Sequence, residues 1–268
     1  MTLPGSANRR RLLAAALFAC VAVQAQAQGL VDLIARAKPS VVAVGTYSPT
    51  DSPRFGYRGT GFVVGAGNLM VTNAHVLPDA AAEGPAKQLM VVTRPGAEPA
   101  EPRAATLIEM DRAHDLALLR FEGPALPPLP LAAPGDIREG LSVAFTGFPL
   151  GGALGFTPVT HRGIISSITA IALPSPTAQK PNEQAIRRLR QGSFDIYQLD
   201  GTAYPGNSGG PVMSVETGQV VGVINMVLVK GSKESALNLP SGISYAIPVR
   251  FVLDLLARNS GDAPRPQQ

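Results

Sequence analysis

Apolar positions along this chain fall in short runs broken by glycine, proline and polar turn residues, not in the three-and-four spacing of long helices. Ser40 to Tyr47 is a β-branched run and predicts a strand. Gly59 to Val64 and Leu69 to Thr72 flank Gly65-Ala66-Gly67-Asn68 and predict a β-hairpin, with His75 just beyond its second strand. Further strands are predicted over Gln88 to Thr93, Ala104 to Met110, Leu116 to Phe121 and Leu141 to Gly147. Thr157 to Ile171, Phe194 to Leu199, Gly210 to Val215, Val220 to Val229 and Ile243 to Ile247 complete the set. Pro124 to Pro134 is too rich in proline for a central strand and predicts a connection between two halves. One helix is expected at the end. Pro248 suits its first position, and Val249, Val252, Leu253 and Leu256 line one face. About a dozen short strands with turn-punctuated spacing predict an all-β architecture of paired barrels or a sandwich.

Composition narrows this reading. The 268 residues are 45% hydrophobic and 16% charged, with 28 glycines and 25 prolines, a mixture for packed strands and tight turns, not for disorder. The net charge of +4 does not imply a nucleic-acid partner, since aromatic residues are 5% and tryptophan is absent. Arg9-Arg10-Arg11, the apolar stretch Leu12 to Val23 and Ala25-Gln26-Ala27 have the order of a secretory signal peptide. Cleavage is expected after Ala27 and no membrane span remains. The single cysteine, Cys20, lies inside that segment. A lipid anchor at Cys20 is the less favoured alternative, because Phe18 is bulky for such a signal and the apolar stretch continues past it. A mature domain without cysteine has no disulfide, so packing must stabilise it.

The chemistry concentrates at Gly206-Asn207-Ser208-Gly209-Gly210-Pro211, Thr72-Asn73-Ala74-His75-Val76 and Asp115-Leu116-Ala117-Leu118-Leu119. A serine hydroxyl needs a base to take its proton, histidine titrates near working pH, and a buried carboxylate holds the imidazole in the useful tautomer. His75, Asp115 and Ser208 are therefore the candidate catalytic residues, and the Gly206 and Ser208 N–H groups the candidate oxyanion site. The G-x-S-x-G pattern also fits a lipase elbow, but that fold needs histidine after serine, and His75, His114 and His161 all precede Ser208. Alternation along an extended chain turns His114 away from Asp115 toward solvent. His161 reads as a partly exposed strand residue before a role in substrate selection. No metal-ligand spacing and no cofactor motif are present.

With these motifs in this order, the sequence resembles a trypsin-like serine protease of the bacterial HtrA/Deg type, from about Gly59 to Val252. Further matches are Gly147-Phe148-Pro149-Leu150-Gly151, Arg162-Gly163-Ile164-Ile165-Ser166 and Ser244-Tyr245-Ala246-Ile247-Pro248. The resemblance implies two six-stranded antiparallel β-barrels of chymotrypsin type with a C-terminal helix. It divides the chain into a signal peptide over 1–27, a protease domain over 28–258 whose barrels meet near 124–136, and a flexible tail over 259–268. It implies that Ile224, Asn225 and Met226 present backbone groups to an extended peptide. Thr202, six residues before Ser208, supplies no carboxylate for basic side chains, so with Tyr204 and Ile224 nearby an apolar residue is expected before the scissile bond. Asn207 stands where zymogen-type relatives carry an aspartate, so no such activation step is expected. The family's PDZ module is missing, and Pro174 to Gly192 is a long insertion. By analogy, Phe55 and Tyr57 stand where a trimer contact would form. The resulting expectation is an exported endopeptidase, periplasmic or secreted, acting on unfolded or damaged polypeptides. The competing expectation is a non-catalytic or latent peptide-binding or chaperone module on the same scaffold.

Overall fold

In a computed structural model, the described residues are 29–78, 87–93, 101–149, 151, 156–171, 194–226 and 242–259. The 1–27 segment expected as a signal peptide, with Cys20, the 174–192 insertion, and the tail beyond Asn259 lie outside them. Among the described residues there are twelve strands. The first six are β1 (Val41–Tyr47), β2 (Phe55–Val64), β3 (Leu69–Thr72), β4 (Gln88–Thr93), β5 (Glu101–Asp111) and β6 (Leu116–Phe121). They close into one barrel in the order β1-β2-β3-β6-β5-β4, every pair antiparallel. The second six are β7 (Ser142–Gly147), β8 (Val159–Ile171), β9 (Phe194–Asp200), β10 (Pro211–Ser214), β11 (Val220–Asn225) and β12 (Ile243–Pro248). They close as β10-β11-β12-β9-β8-β7, again antiparallel throughout. Closure removes the exposed strand edges that an open sheet of this composition would offer for aggregation.

β1, the second half of β2, β6, β10 and β11 are buried on both faces, which explains their runs of consecutive apolar residues. Val63, Leu119 and Met70 fill the first barrel, whereas Phe62, Val64 and Leu118 join a larger core shared with the second barrel. Phe62, Phe145 and Phe148 are fully buried, each contributing about 2–3 kcal/mol of transfer free energy on area grounds. The link over residues 122–141 laces the halves together. Leu129 N–H donates to Val63 O (2.9 Å) on β2, and three residues later Ala132 N–H donates to Val220 O (2.9 Å) on β11. The C-terminal helix Val249–Arg258 buries Val249, Phe251, Val252 and Leu255, with Pro248 as its N-cap.

Two local features depart from expectation. β2 begins at Phe55, not Gly59, because Phe55 and Gly56 pair with Tyr47 and Thr46 across the strand end. Residues 29–37, for which no element is expected, are helical, and Leu33 and Ala37 bury into the shared core.

Candidate active site

Asp115 is the geometric centre of the site. It has φ +52°, a backbone region rare for a residue with a side chain, at the turn between β5 and β6. Its surroundings impose that conformation. Ala74 N–H (3.1 Å) and Asn73 Nδ2 (3.0 Å) both donate to the Asp115 backbone carbonyl. The carboxylate is held as firmly: His75 N–H donates to Oδ1 (2.9 Å), and His75 Nδ1 lies 2.6 Å from Oδ2. Buried Asn225, at the end of β11, donates Nδ2–H to the same Oδ2 at 2.6 Å. A carboxylate accepting from these partners is fixed in place, and through Oδ2 it orients the imidazole by its Nδ1 edge. His75 itself sits on a single 3-10 turn, Ala74–Val76, with its side chain 30% exposed.

Ser208 precedes β10 in a loop rich in glycine, and its side chain is buried to 5% exposure. Met226 N–H donates to Ser208 Oγ at 3.3 Å. Consecutive residues at the end of β11 thus hold the two ends of the constellation, Asn225 the carboxylate and Met226 the alcohol. Accepting from Met226 leaves the hydroxyl proton free for donation to a base. The loop fits only glycine at its tightest points. Gly209 has φ +85°, and a Cβ there would stand 2.1 Å from Thr60 O and 2.4 Å from Thr72 Oγ1. Gly206 has φ +104°, and its Cβ would stand 2.2 Å from Phe148 O.

The loop's backbone is tied to the first barrel through its carbonyls. Thr60 N–H donates to Ser208 O (2.8 Å). Thr60 Oγ1 (2.7 Å) and Tyr57 Oη (2.6 Å) both donate to Gly206 O. Asn207 N–H donates to Tyr204 O (2.9 Å), whereas the N–H groups of Gly206 and Ser208 have no hydrogen-bond partner among the described residues. Two unsatisfied donors on alternate residues of a rigid loop suit an anionic oxygen. Asn207 is fully buried beside Gly147, and its amide finds no partner among the described residues.

The residues expected to meet substrate divide into two groups. Thr202, Tyr204 and Met226 are partly exposed. Ile224 does not present itself as expected: it is fully buried, its N–H donates to Gly210 O (2.9 Å) and its carbonyl accepts from Gly209 N–H (2.9 Å). Asn225 is likewise buried, its backbone in the β11–β12 ladder opposite Tyr245 and its amide on Asp115. Ser244 is a contributor that the sequence did not single out. Its hydroxyl accepts from Ala203 N–H (2.7 Å) and donates to Gly201 O (2.6 Å), bracing the segment that carries Thr202. His161 stacks on Phe145 (5.2 Å) and lies 6.0 Å from the Tyr204 ring. Burial lowers its pKa, and Nε2 has no partner among the described residues.

His114 is not solvent-facing. It stacks on Phe251 of the C-terminal helix (3.8 Å, 20°) and meets Phe194 edge-on (4.9 Å), with Nδ1 2.9 Å from Asp111 Oδ2. The left-handed turn at Asp115 breaks the alternation that would have sent it outward.

A buried alcohol, a carboxylate-held imidazole and loop amides without a partner among the described residues, carried on two closed antiparallel barrels, define the class of trypsin-like peptidase folds. The trypsin-like peptidase domain family matches residues 59–223, and the chain belongs to that family. Within it, the chain is of HtrA type. It is 33% identical over 201 residues to the mitochondrial serine protease HTRA2 of Bos taurus, covering 75% of this chain and 36% of that protein. It is 29% identical over 197 residues to a probable periplasmic serine endoprotease DegP-like of Pseudomonas fluorescens, covering 74% of this chain and 34% of that protein. The chain thus spans about a third of the length of these relatives. Among solved structures, Deg5 superposes with a TM-score of 0.60 at 24% identity, covering 85% of this chain and 91% of that one. The serine endoprotease of Yersinia pestis superposes with a TM-score of 0.58 at 22% identity, covering 85% and 65%. Both share the fold.

Proposed function

We propose that this chain is an exported serine endopeptidase that hydrolyses peptide bonds of unfolded or damaged proteins through an acyl-enzyme. Ser208 is the nucleophile, His75 the general base and then acid, and Asp115 the group that orients and stabilises the imidazolium. In the first half-reaction, Ser208 Oγ attacks the scissile carbonyl while its proton passes to His75 Nε2. The carbonyl oxygen becomes an oxyanion and takes hydrogen bonds from Gly206 and Ser208 N–H. Collapse breaks the C–N bond, and His75 returns the proton to the leaving amine. Water then repeats the sequence against the acyl-serine. The observation that carries this reading is the double hold on Asp115, from His75 Nδ1 on one side and Asn225 Nδ2 on the other, with Met226 N–H on Ser208 Oγ.

Thr202 and Tyr204, six and four residues before Ser208, are partly exposed and neither is a carboxylate, which supports an apolar side chain before the scissile bond. Export rests on the N-terminal signal pattern and on the similarity to periplasmic DegP-like proteins. Among the described residues, no helix is long and apolar enough to cross a membrane.

A fluorophosphonate probe tests the mechanism. Stoichiometric labelling of wild type and none of Ser208→Ala is expected, with degradation of unfolded casein lost in parallel. A folded wild type that stays unlabelled would instead favour a peptide-binding module. A peptide-library cleavage profile dominated by Lys, Arg or Glu before the cut would overturn the specificity.

A further inference from the structure

Tyr57 does something that the chemistry above leaves unused. It lies on β2 in the first barrel, yet its hydroxyl crosses to the second, 2.6 Å from Gly206 O and 3.0 Å from Phe148 O. A phenol has one proton, and the shorter contact takes it. Thr60 Oγ1 donates to the same Gly206 carbonyl at 2.7 Å and accepts from Phe148 N–H at 3.2 Å. Both lone pairs of that carbonyl are therefore filled from the first barrel. The ring is locked in place: it meets Phe148 edge-on (6.4 Å) and Phe156 at a tilt (5.7 Å), and it packs against Gly151, where a Cβ would stand 2.4 Å from it. Burial pushes the phenol well above its ordinary pKa, with the Thr60 hydroxyl opposing, so it stays a donor.

Gly206 needs this support. A glycine leaves both flanking peptide planes free to turn. An oxyanion site works only if N–H groups face the developing charge; a carbonyl turned there would repel it. We propose that Tyr57 is a positioning residue for the reaction: with Thr60 it holds the Gly206 carbonyl and so fixes the Gly206–Asn207 peptide plane, which lies between the plane that carries Gly206 N–H and the plane that carries Ser208 N–H, so that both donors stay aimed at the substrate's carbonyl oxygen. The Tyr57 hydroxyl is thereby engaged within the chain. This assignment rests on the reading of Gly206 and Ser208 N–H as the oxyanion site.

The test compares wild type, Tyr57→Phe and Thr60→Ser on a p-nitrophenyl ester, with fluorophosphonate labelling rates, affinity for a peptide boronate and thermal melting. Tyr57→Phe keeps the ring and removes the donor. Its kcat falls about ten- to a hundredfold with KM unchanged, the size expected when a reacting group is slightly misplaced. Labelling rate and boronate affinity fall with it, and melting stays within a few degrees. Thr60→Ser keeps its hydroxyl and retains activity close to wild type. Unchanged kcat in Tyr57→Phe, or a loss matched by a collapse in melting temperature, overturns the assignment while leaving the hydrolase intact. An unreactive wild type overturns the hydrolase reading and this assignment with it.

Discussion

The molecule contains two histidine–aspartate pairs built on one plan. In the first, His75 N–H and Nδ1 engage Asp115 Oδ1 and Oδ2 at 2.9 and 2.6 Å. In the second, His114 N–H and Nδ1 engage Asp111 Oδ1 and Oδ2 at 3.2 and 2.9 Å. Five residues of one turn carry both carboxylates. What differs is everything beyond the ring. The His75 pair shares its carboxylate with Asn225, whose neighbour Met226 touches Ser208 Oγ. The His114 pair shares its carboxylate with Arg258 (Nη2 to Asp111 Oδ2, 3.4 Å), and its imidazole stacks on Phe251 and meets Phe194 edge-on. A carboxylate-held imidazole is therefore not a catalytic signature by itself. The first is a candidate base because the residue next to its carboxylate's partner holds an alcohol, and the second is a structural clamp because its ring meets phenylalanine.

The largest effect separates the two pairs outright. Ser208→Ala or His75→Ala is expected to depress turnover by up to about a million-fold with the fold intact, whereas His114→Ala leaves kcat/KM within about threefold because the ring has no part in proton transfer. Equal losses at the two histidines, measured on unfolded casein, would dissolve the distinction. Asp115→Asn comes next. An amide cannot hold the imidazole in the same tautomer, and a loss of about ten-thousand-fold in kcat is expected.

Asn225 sharpens the comparison at the next level down, since it is the partner that Asp115 has and Asp111 lacks. Removing it as Asn225→Ala leaves a buried carboxylate oxygen short of one donor, which costs about 1–3 kcal/mol of stability and about ten- to a hundredfold in kcat as the imidazole loses its alignment. Asn225→Asp is worse, because it sets a second buried carboxylate against the first. Chemical denaturation and steady-state kinetics on the two variants check this order; Asn225→Asp being the milder of the two would refute it.

The difference between the pairs also explains what could be read from residues alone. Strands such as Gln88–Thr93 and Leu116–Phe121 were legible to their ends because turn residues bound apolar runs on both sides. The start of β2 was not, since Phe55-Gly56-Tyr57 looks like a turn until Tyr47 and Thr46 pair with it. The helix over 29–37 left a signal in Leu30, Leu33 and Ala37, three apolar positions at helical spacing. Asp115 and Ser208 stand in recognisable local motifs. How they are held does not show in those motifs, because the bond from Asn225 to Asp115 joins residues 110 positions apart, and that from Tyr57 to Gly206 joins residues 149 apart. His114 was misread for a related reason. Alternation assumes an extended backbone, and one residue at φ +52° reverses it.

The smallest expected effect belongs to the clamp and has a pH signature of its own. Burial acts to raise the Asp111 pKa, but the hydrogen bonds and charge of His114, with the charge of Arg258, outweigh it and hold the carboxyl below its ordinary value. A depressed carboxyl pKa adds stability above the unfolded-state value of about 4, and this is lost as pH falls through the lower folded value. The Asp111 side chain is 12% exposed and its partner Arg258 lies at the surface, so solvent screening keeps the gain small, up to about 1 kcal/mol. Asp111→Asn should therefore lower stability slightly and evenly across neutral pH, and the gap to wild type should close as pH drops below about 4. Arg258→Gln should narrow the same gap, because it removes the charge that helps hold the Asp111 pKa down. Urea denaturation at stepped pH measures both. A gap that widens in acid would mean that protonated Asp111, not its carboxylate, is what the C-terminal helix holds.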